Sequence, residues 1–220
     1  MNNKIFRRIV LISLCIILLV TTCQCARVTN VGRYVLDIVQ FKNTYVRKVD
    51  NPNWAVKIEL PGVTNFHKVS DDLYRGAQPT NEGMKELEKL GVKTIINLRS
   101  EHSDKEELQN THLNYVNIPL TTDNPDIEDI VLFLKVINDS NNLPVFVHCR
   151  YGADRTGMMC AIYRVIEQNW TRQDAVEEMT KGGFGFHSIW TNLADYVKKM
   201  DIDKIKEKAN LTKKPEKIAL

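Results

Sequence analysis

"VHCRYGADRTG", residues Val147–Gly157, places a cysteine after a histidine and an arginine six positions further on, with a glycine midway and a threonine behind the arginine. The run "PVFVHC" that leads into it is short, apolar and β-branched, and ends at Cys149. The run "RTGMMCAIYRVIEQ" that follows reads as a helix opening near Arg155. Strand, five-residue arc and helix in that order place a ligand at the carboxyl end of a strand, which is where open α/β sheets bind their ligands.

Working outward, the same alternation repeats. "FHKVSDDLYRGAQPT" reads as two short strands about a turn at Ser70-Asp71-Asp72. "NEGMKELEKLG" is a short helix with Met84, Leu87 and Leu90 on one side and Gly91 as its stop. "VKTIINLR" and "LNYVNIPL" are strands separated by a helical turn, "DKEELQN". In "DIEDIVLFLKVIND", Ile127, Ile130, Val131, Leu134 and Ile137 follow helical spacing. Thr171 and Asp174 open a further helix, "KGGFGFH" is a loop, and "SIWTNLADYVKKM" is a last helix. Strands alternating with helices predict an α/β domain with a central, mostly parallel sheet flanked by helices. That domain is expected over residues 61–202, after an extension at 27–60 and before a lysine-rich tail at 203–220.

The arc has the makings of an anion site. Arg150, Tyr151, Gly152, Ala153 and Asp154 can turn successive N–H groups inward, and the N-terminus of the next helix adds its dipole. Gly152 permits a positive φ where other residues would strain. A free cysteine titrates near about 8.5, and a helix N-terminus with a nearby cation brings such thiols to roughly 3.5–7.5. A thiolate at Cys149 is therefore expected, with the Arg155 fork taking two oxygens of a phosphoryl group. Thr156 is expected to donate its hydroxyl to the sulfur, and His148 to orient the loop.

"HCRYGADRTG" resembles the signature loop of the cysteine-dependent protein tyrosine and dual-specificity phosphatases, His-Cys-x5-Arg-[Ser/Thr]. With "LYRGAQPT", "VKTIINLR" and "EEMTKGGFGFH", the chain is similar over residues 66–200 to the small dual-specificity-like branch found in bacteria. The resemblance implies a protein tyrosine phosphatase-like fold, Cys149 as the nucleophile of a phosphocysteine intermediate, and a phosphate held by Arg150 to Arg155. It also implies an aspartate that protonates the leaving oxygen. "PLTTDNPD" offers Asp123, in a turn after a strand, and Asp126, which reads as the first acid of the next helix. Asp154 is the other candidate, since an Asp-Arg pair within this loop resembles myotubularin-like and some bacterial lipid phosphatases. Asp123 and Asp154 both stand as the acid. Outside the arc, Arg75 reads either as approaching the phosphate site or as pairing with a surface acid, the second preferred, His187 as a loop residue, and Cys160 as a small core side chain.

No metal or other cofactor is required, because Arg155 and the loop supply the positive field. The substrate is a phosphorylated protein in the first reading and a phosphoinositide or inositol phosphate in the second. A rival reading is an inactive phosphate-binding module, which would keep Arg155 and Gly152 and have no use for Cys149. Thiol-dependent arsenate reduction is another, and only Cys160 is available to resolve its intermediate. A monomer is expected.

Composition bounds the rest. With 43% hydrophobic and 26% charged residues, the 220-residue chain is ordinary globular protein. "MNNKIFRRIVLISLCIILLVTTCQCA" has the basic start and short apolar run of a secretory signal or membrane anchor. Export to the periplasm or medium, or attachment to a membrane through residues 1–26, is the expectation. Lys4, Arg7 and Arg8 carry the whole formal charge of +3, so residues 27–220 balance, and nothing in them suggests a nucleic-acid partner.

Overall fold

The structure is a computed structural model and describes residues 51–211; the expected signal or anchor lies outside the described residues. Among the described residues no helix is long and apolar enough to cross a membrane.

Six strands form one sheet in the order β1-β2-β3-β6-β4-β5. They are β1 (Val56–Lys57), β2 (His67–Lys68), β3 (Leu73–Gly76), β4 (Thr94–Asn97), β5 (Asn114–Asn117) and β6 (Val145–His148). β3, β6, β4 and β5 run parallel, and β2 and β1 extend the sheet antiparallel. The expected fold class is the observed one. The helices are α1 (Asn81–Lys89), α2 (Ile127–Asn138), α3 (Asp154–Glu167), α4 (Arg172–Lys181), α5 (Thr191–Lys199) and α6 (Ile202–Lys208).

Period-two alternation sorts the strand residues between two cores. Leu73, Ile96, Val145 and Val147 face the larger one, with α2, α3, α4 and α5. Tyr74, Ile95 and Phe146 face the smaller one, with Met84 and Leu87 of α1. A strand covered on both faces needs apolar side chains throughout, which is why "VFV" reads as an unbroken run. α1 buries Met84 and Leu87 as its spacing predicts, whereas Leu90, at the C-cap, is exposed.

Residues 104–110 form the expected helical turn, with Leu108 N–H donating to Asp104 O at 2.9 Å. Two boundaries fall elsewhere than expected. The residues just before position 61 already belong to the sheet, through β1 and its pairing with β2. After 202 the chain continues as α6, with Ile205 and Ala209 buried, because its apolar side packs on the larger core. Arg164 of α3 and Glu178 of α4 add a buried polar clamp. Nε donates to Oε2 at 2.7 Å and Nη2 to Oε1 at 2.6 Å, while Ala55 N–H donates to Oε1 and Arg164 Nη1 reaches the Val69 carbonyl. The clamp ties the start of the described chain to the helix pair behind the site, a paired form in which buried charge is tolerated.

Candidate active site

Register sets the floor of the site. Gly76 pairs with His148 and Asn97 pairs with His148, so β3, β6 and β4 end level with one another. Cys149 follows β6 directly, and the arc from Arg150 to Ala153 leads into α3.

The arc is held by its carbonyls. The Cys149 carbonyl lies 3.3 Å from His148 Nδ1, and Gln78 N–H donates to Arg150 O at 3.3 Å. Asn65 Nδ2 donates to Tyr151 O at 2.9 Å. Arg75 Nη2 donates to Gly152 O at 2.7 Å and to Ala153 O at 3.5 Å. Every carbonyl from Cys149 to Ala153 therefore has a partner, whereas no backbone N–H of residues 150–155 donates to another backbone group among the described residues. Unpaired donors in a curled loop ahead of a helix N-terminus are what an anion needs.

Gly152 has φ +68°, and a Cβ there would stand 2.3 Å from the Gly76 carbonyl. Gly152→Ala is expected to cost at least about 1–2 kcal/mol from the positive φ alone, with the clash in addition. The thermal midpoint should fall by roughly 2–4 °C or more. Aryl phosphate hydrolysis should fall much further, since the arc must lift away from Gly76; full activity in this variant would contradict the geometry.

Above the arc opens a cavity of about 560 Å³, lined among others by Cys149, Arg150, Tyr151, Asp154 and Arg155 from the signature stretch, and by Arg99, Asp123 and His187 from outside it. Cys149 is 3% exposed. Arg155 Nη1 donates to Leu98 O at 3.2 Å and to Leu120 O at 3.4 Å, which spreads the guanidinium across the ends of the neighbouring strands. Gly152, Ala153 and Thr156 are buried and do not line the cavity. The bond expected from Thr156 to the Cys149 sulfur is not formed: Thr156, fully buried in the first turn of α3, has no hydrogen-bond partner for its Oγ1 among the described residues.

The two candidate acids differ. Asp154 is 7% exposed, and its carboxylate accepts from His187 N–H at 2.8 Å and lies 2.9 Å from His187 Nδ1. Asp123 is exposed on the cavity wall. Its carboxylate has no partner among the described residues, and its turn is tied by the backbone, through Asn192 Nδ2 donating to Thr122 O at 2.6 Å. Asp126 is the N-cap of α2, accepting from Glu128 N–H, as its position predicts.

Several residues were misjudged or missed in the sequence. Arg75 pairs with no surface acid. It is 1% exposed on an internal strand, holds the arc and lies 3.7 Å from the Phe184 ring centroid. Phe184 also takes His67 edge-on at 4.7 Å, and burial pushes that histidine down to about 4, so it is uncharged at neutral pH. Asp104 is fully buried and receives His148 Nε2 at 2.7 Å, Gln78 Nε2 at 2.9 Å and Asn97 Nδ2 at 2.9 Å. Gln78 in turn accepts from Arg99 at the cavity wall. His148 thus orients the loop as expected, but through a carboxylate 44 residues away. Asp104 with His102 and Glu107 is a grouping of metal-ligand type, yet its carboxylate is already committed to these donors. Cys160 is a core thiol, pushed up to about 11 by burial.

Known proteins are similar to this chain in sequence and in fold. A family model described as "DSP-PTPase phosphatase fused to NAD+ Kinase" matches residues 46–194. The dual specificity protein phosphatase TpbA of Pseudomonas aeruginosa (strain UCBPP-PA14) is 32% identical over 154 residues, which is 70% of this chain and 69% of that protein. This chain belongs to the cysteine-dependent dual-specificity phosphatases. A crystal structure of P. aeruginosa TpbA in complex with pTyr superposes on the phosphatase with a TM-score of 0.65 and 28% identity, covering 73% of this chain and 98% of that one. The inositol diphosphatase DSP3 of Arabidopsis thaliana is 34% identical over 144 residues, or 62% of this chain and 69% of that protein. The chain is thus a phosphoric monoester hydrolase of the cysteine-dependent kind.

Proposed function

We propose that the phosphatase hydrolyses phosphotyrosine in proteins, with Cys149 as nucleophile, Arg155 and the arc from Arg150 to Thr156 as the phosphate cradle, and Asp123 as the acid. The observation that carries this reading is the division of the arc into engaged carbonyls and unengaged N–H groups, directly over a buried cysteine. The thiolate attacks phosphorus in line with the leaving oxygen. The N–H groups and the Arg155 fork hold the three equatorial oxygens as their charge redistributes. Asp123 gives its proton to the departing oxygen, and water then releases phosphate from Cys149.

Asp123 is preferred because its carboxyl is free to meet a substrate, whereas both oxygens of Asp154 are engaged by His187. Asp123→Asn is expected to lower kcat for a phosphotyrosine peptide about 10²-fold or more, since that is the least a lost general acid costs. For an aryl phosphate with a strongly acidic phenol the loss should be much smaller, because such a leaving group departs without a proton. An equal loss on both substrates would remove Asp123 from this role.

The apolar rim supports a phenolic substrate. Ile189 is 76% exposed and Tyr151 55% exposed beside the cavity, with Trp190 next to them. The pTyr complex of TpbA is consistent with this. Arg99 and Arg150 on the same wall favour a second reading, an inositol phosphate, in line with the name of the Arabidopsis relative. Phosphate release by the full chain from a phosphotyrosine peptide and from an inositol polyphosphate, compared by kcat/KM, separates them; a higher value for the inositol compound overturns the first reading. Export or membrane attachment through residues 1–26 is proposed from the sequence alone.

A further inference from the structure

Hydrolysis of a phosphocysteine needs a group that takes a proton from the attacking water. His187 lines the cavity that holds Cys149. Its Nδ1 lies 2.9 Å from Asp154 Oδ2, and its own backbone N–H donates to Oδ1 at 2.8 Å. A carboxylate only accepts, so Nδ1 is the donor of this contact, and a ring carrying that one proton offers the lone pair of Nε2. The ring is 52% exposed and stands tilted against Tyr151 of the arc, with centroids 5.9 Å apart.

The loop that presents this ring is fastened to the arc at three places. Asn65 Nδ2 donates to Tyr151 O and to Phe184 O, each at 2.9 Å. Arg75 holds Gly152 O while lying over the Phe184 ring. Asp154, the last residue of the signature arc, holds His187 itself. Histidine and nucleophile therefore sit on one braced unit, and bracing of this sort is what proton transfer to a positioned base requires.

We propose that His187 is the general base of the second step and that Asp154 is a positioning residue that sets its tautomer and direction. This rests on the reading of Cys149 as the nucleophile. The water oxygen forms its bond to phosphorus and the phosphorus–sulfur bond breaks, its electron pair returning to Sγ as thiolate. The water proton passes to Nε2 and from there to solvent, leaving inorganic phosphate. Asp123 then serves the first step and His187 the second.

The test is pre-steady-state hydrolysis of p-nitrophenyl phosphate by the full chain, with acid trapping of the phosphoenzyme from radiolabelled substrate. His187→Asn keeps an amide nitrogen near the Nδ1 position for Asp154 and deletes Nε2. The expected result is a stoichiometric burst of nitrophenol at close to the wild-type rate, then turnover slowed about 10²-fold or more. Labelled phosphoenzyme should accumulate, and added imidazole should restore part of the turnover. A burst slowed as much as the turnover, turnover left unchanged, or no accumulation overturns the base role; a purely structural contact would slow both steps together. His187→Gln, which also lacks the ring, is read in the same way should the asparagine variant not fold by far-UV dichroism. If wild type forms no phosphoenzyme and Cys149→Ser stays active, the Cys149 reading itself fails. If Cys149→Ser is inactive and the His187 variants trap nothing, only the base role fails.

Discussion

Cys149→Ser should reduce aryl phosphate hydrolysis by at least about 10⁴-fold, because a serine hydroxyl stays protonated at neutral pH and is a far poorer nucleophile there. The comparison is made on the full chain under reducing conditions with a chelator present. Oxygen replaces sulfur almost isosterically at a site 3% exposed. The contacts that shape the arc run through backbone carbonyls and through Arg75, Asn65 and Gln78, none of which involves the sulfur. The fold and the phosphate cradle should therefore survive, and the thermal midpoint should stay near that of wild type. The variant should still bind a phosphotyrosine peptide while failing to turn it over. Substantial activity in it would sink the phosphocysteine mechanism. A wild-type chain that folds and binds phosphate without hydrolysing it would revive the binding-module reading.

The second large effect is expected at Arg155. Removing a guanidinium that stabilises a transferring phosphoryl group costs on the order of 10³–10⁵ in rate, and Arg155→Ala should fall in that range. Arg155→Lys restores the charge without the planar fork, so it should recover only a small part of the loss. Both variants also release the carbonyls of Leu98 and Leu120 from their donor. Leaving such acceptors unpaired costs about 1–3 kcal/mol where they are shielded from water, which a thermal melt reads as a drop of several degrees. That loss is far too small to explain the kinetic one, so the two measurements together separate a binding group from a packing group. A kcat/KM within tenfold of wild type for Arg155→Lys would mean that the fork is not used.

These effects and the His187 trapping experiment divide the site by step. In the proposed mechanism Cys149 and Arg155 act throughout, Asp123 only on leaving-group departure, and His187 only on release of phosphate. Asp154 illustrates why the division needed coordinates. As a residue of the signature arc it is as good a candidate acid as Asp123, and only the contact with His187, 33 residues later, commits its oxygens elsewhere.

What the sequence by itself determined is local in character. The apolar run before Cys149, the glycine at the middle of the arc, the arginine six places on and the apolar helix behind it state a strand, an anion loop and a helix without reference to anything distant. The same holds for α2, whose helical spacing is carried by its own residues, and for the Thr171 cap, which bonds Asp174 three positions away. Parallel strands alternating with helices follow from such segments in series.

What only the tertiary structure decided depends on which distant segments end at the same edge of the sheet. Arg75 meets the arc across 77 positions, Asn65 across 86, and Asp104 meets His148 across 44. Arg75 and Asp104 are polar and buried, and Asn65 is half-buried, a combination that composition and periodicity assign to the surface, because burial becomes tolerable only once a partner from another element satisfies the group. "DKEELQN" shows the reason most plainly. As a sequence it is a helical turn rich in charge, yet its first residue is fully buried against His148, where three donors from three separate segments converge on one carboxylate.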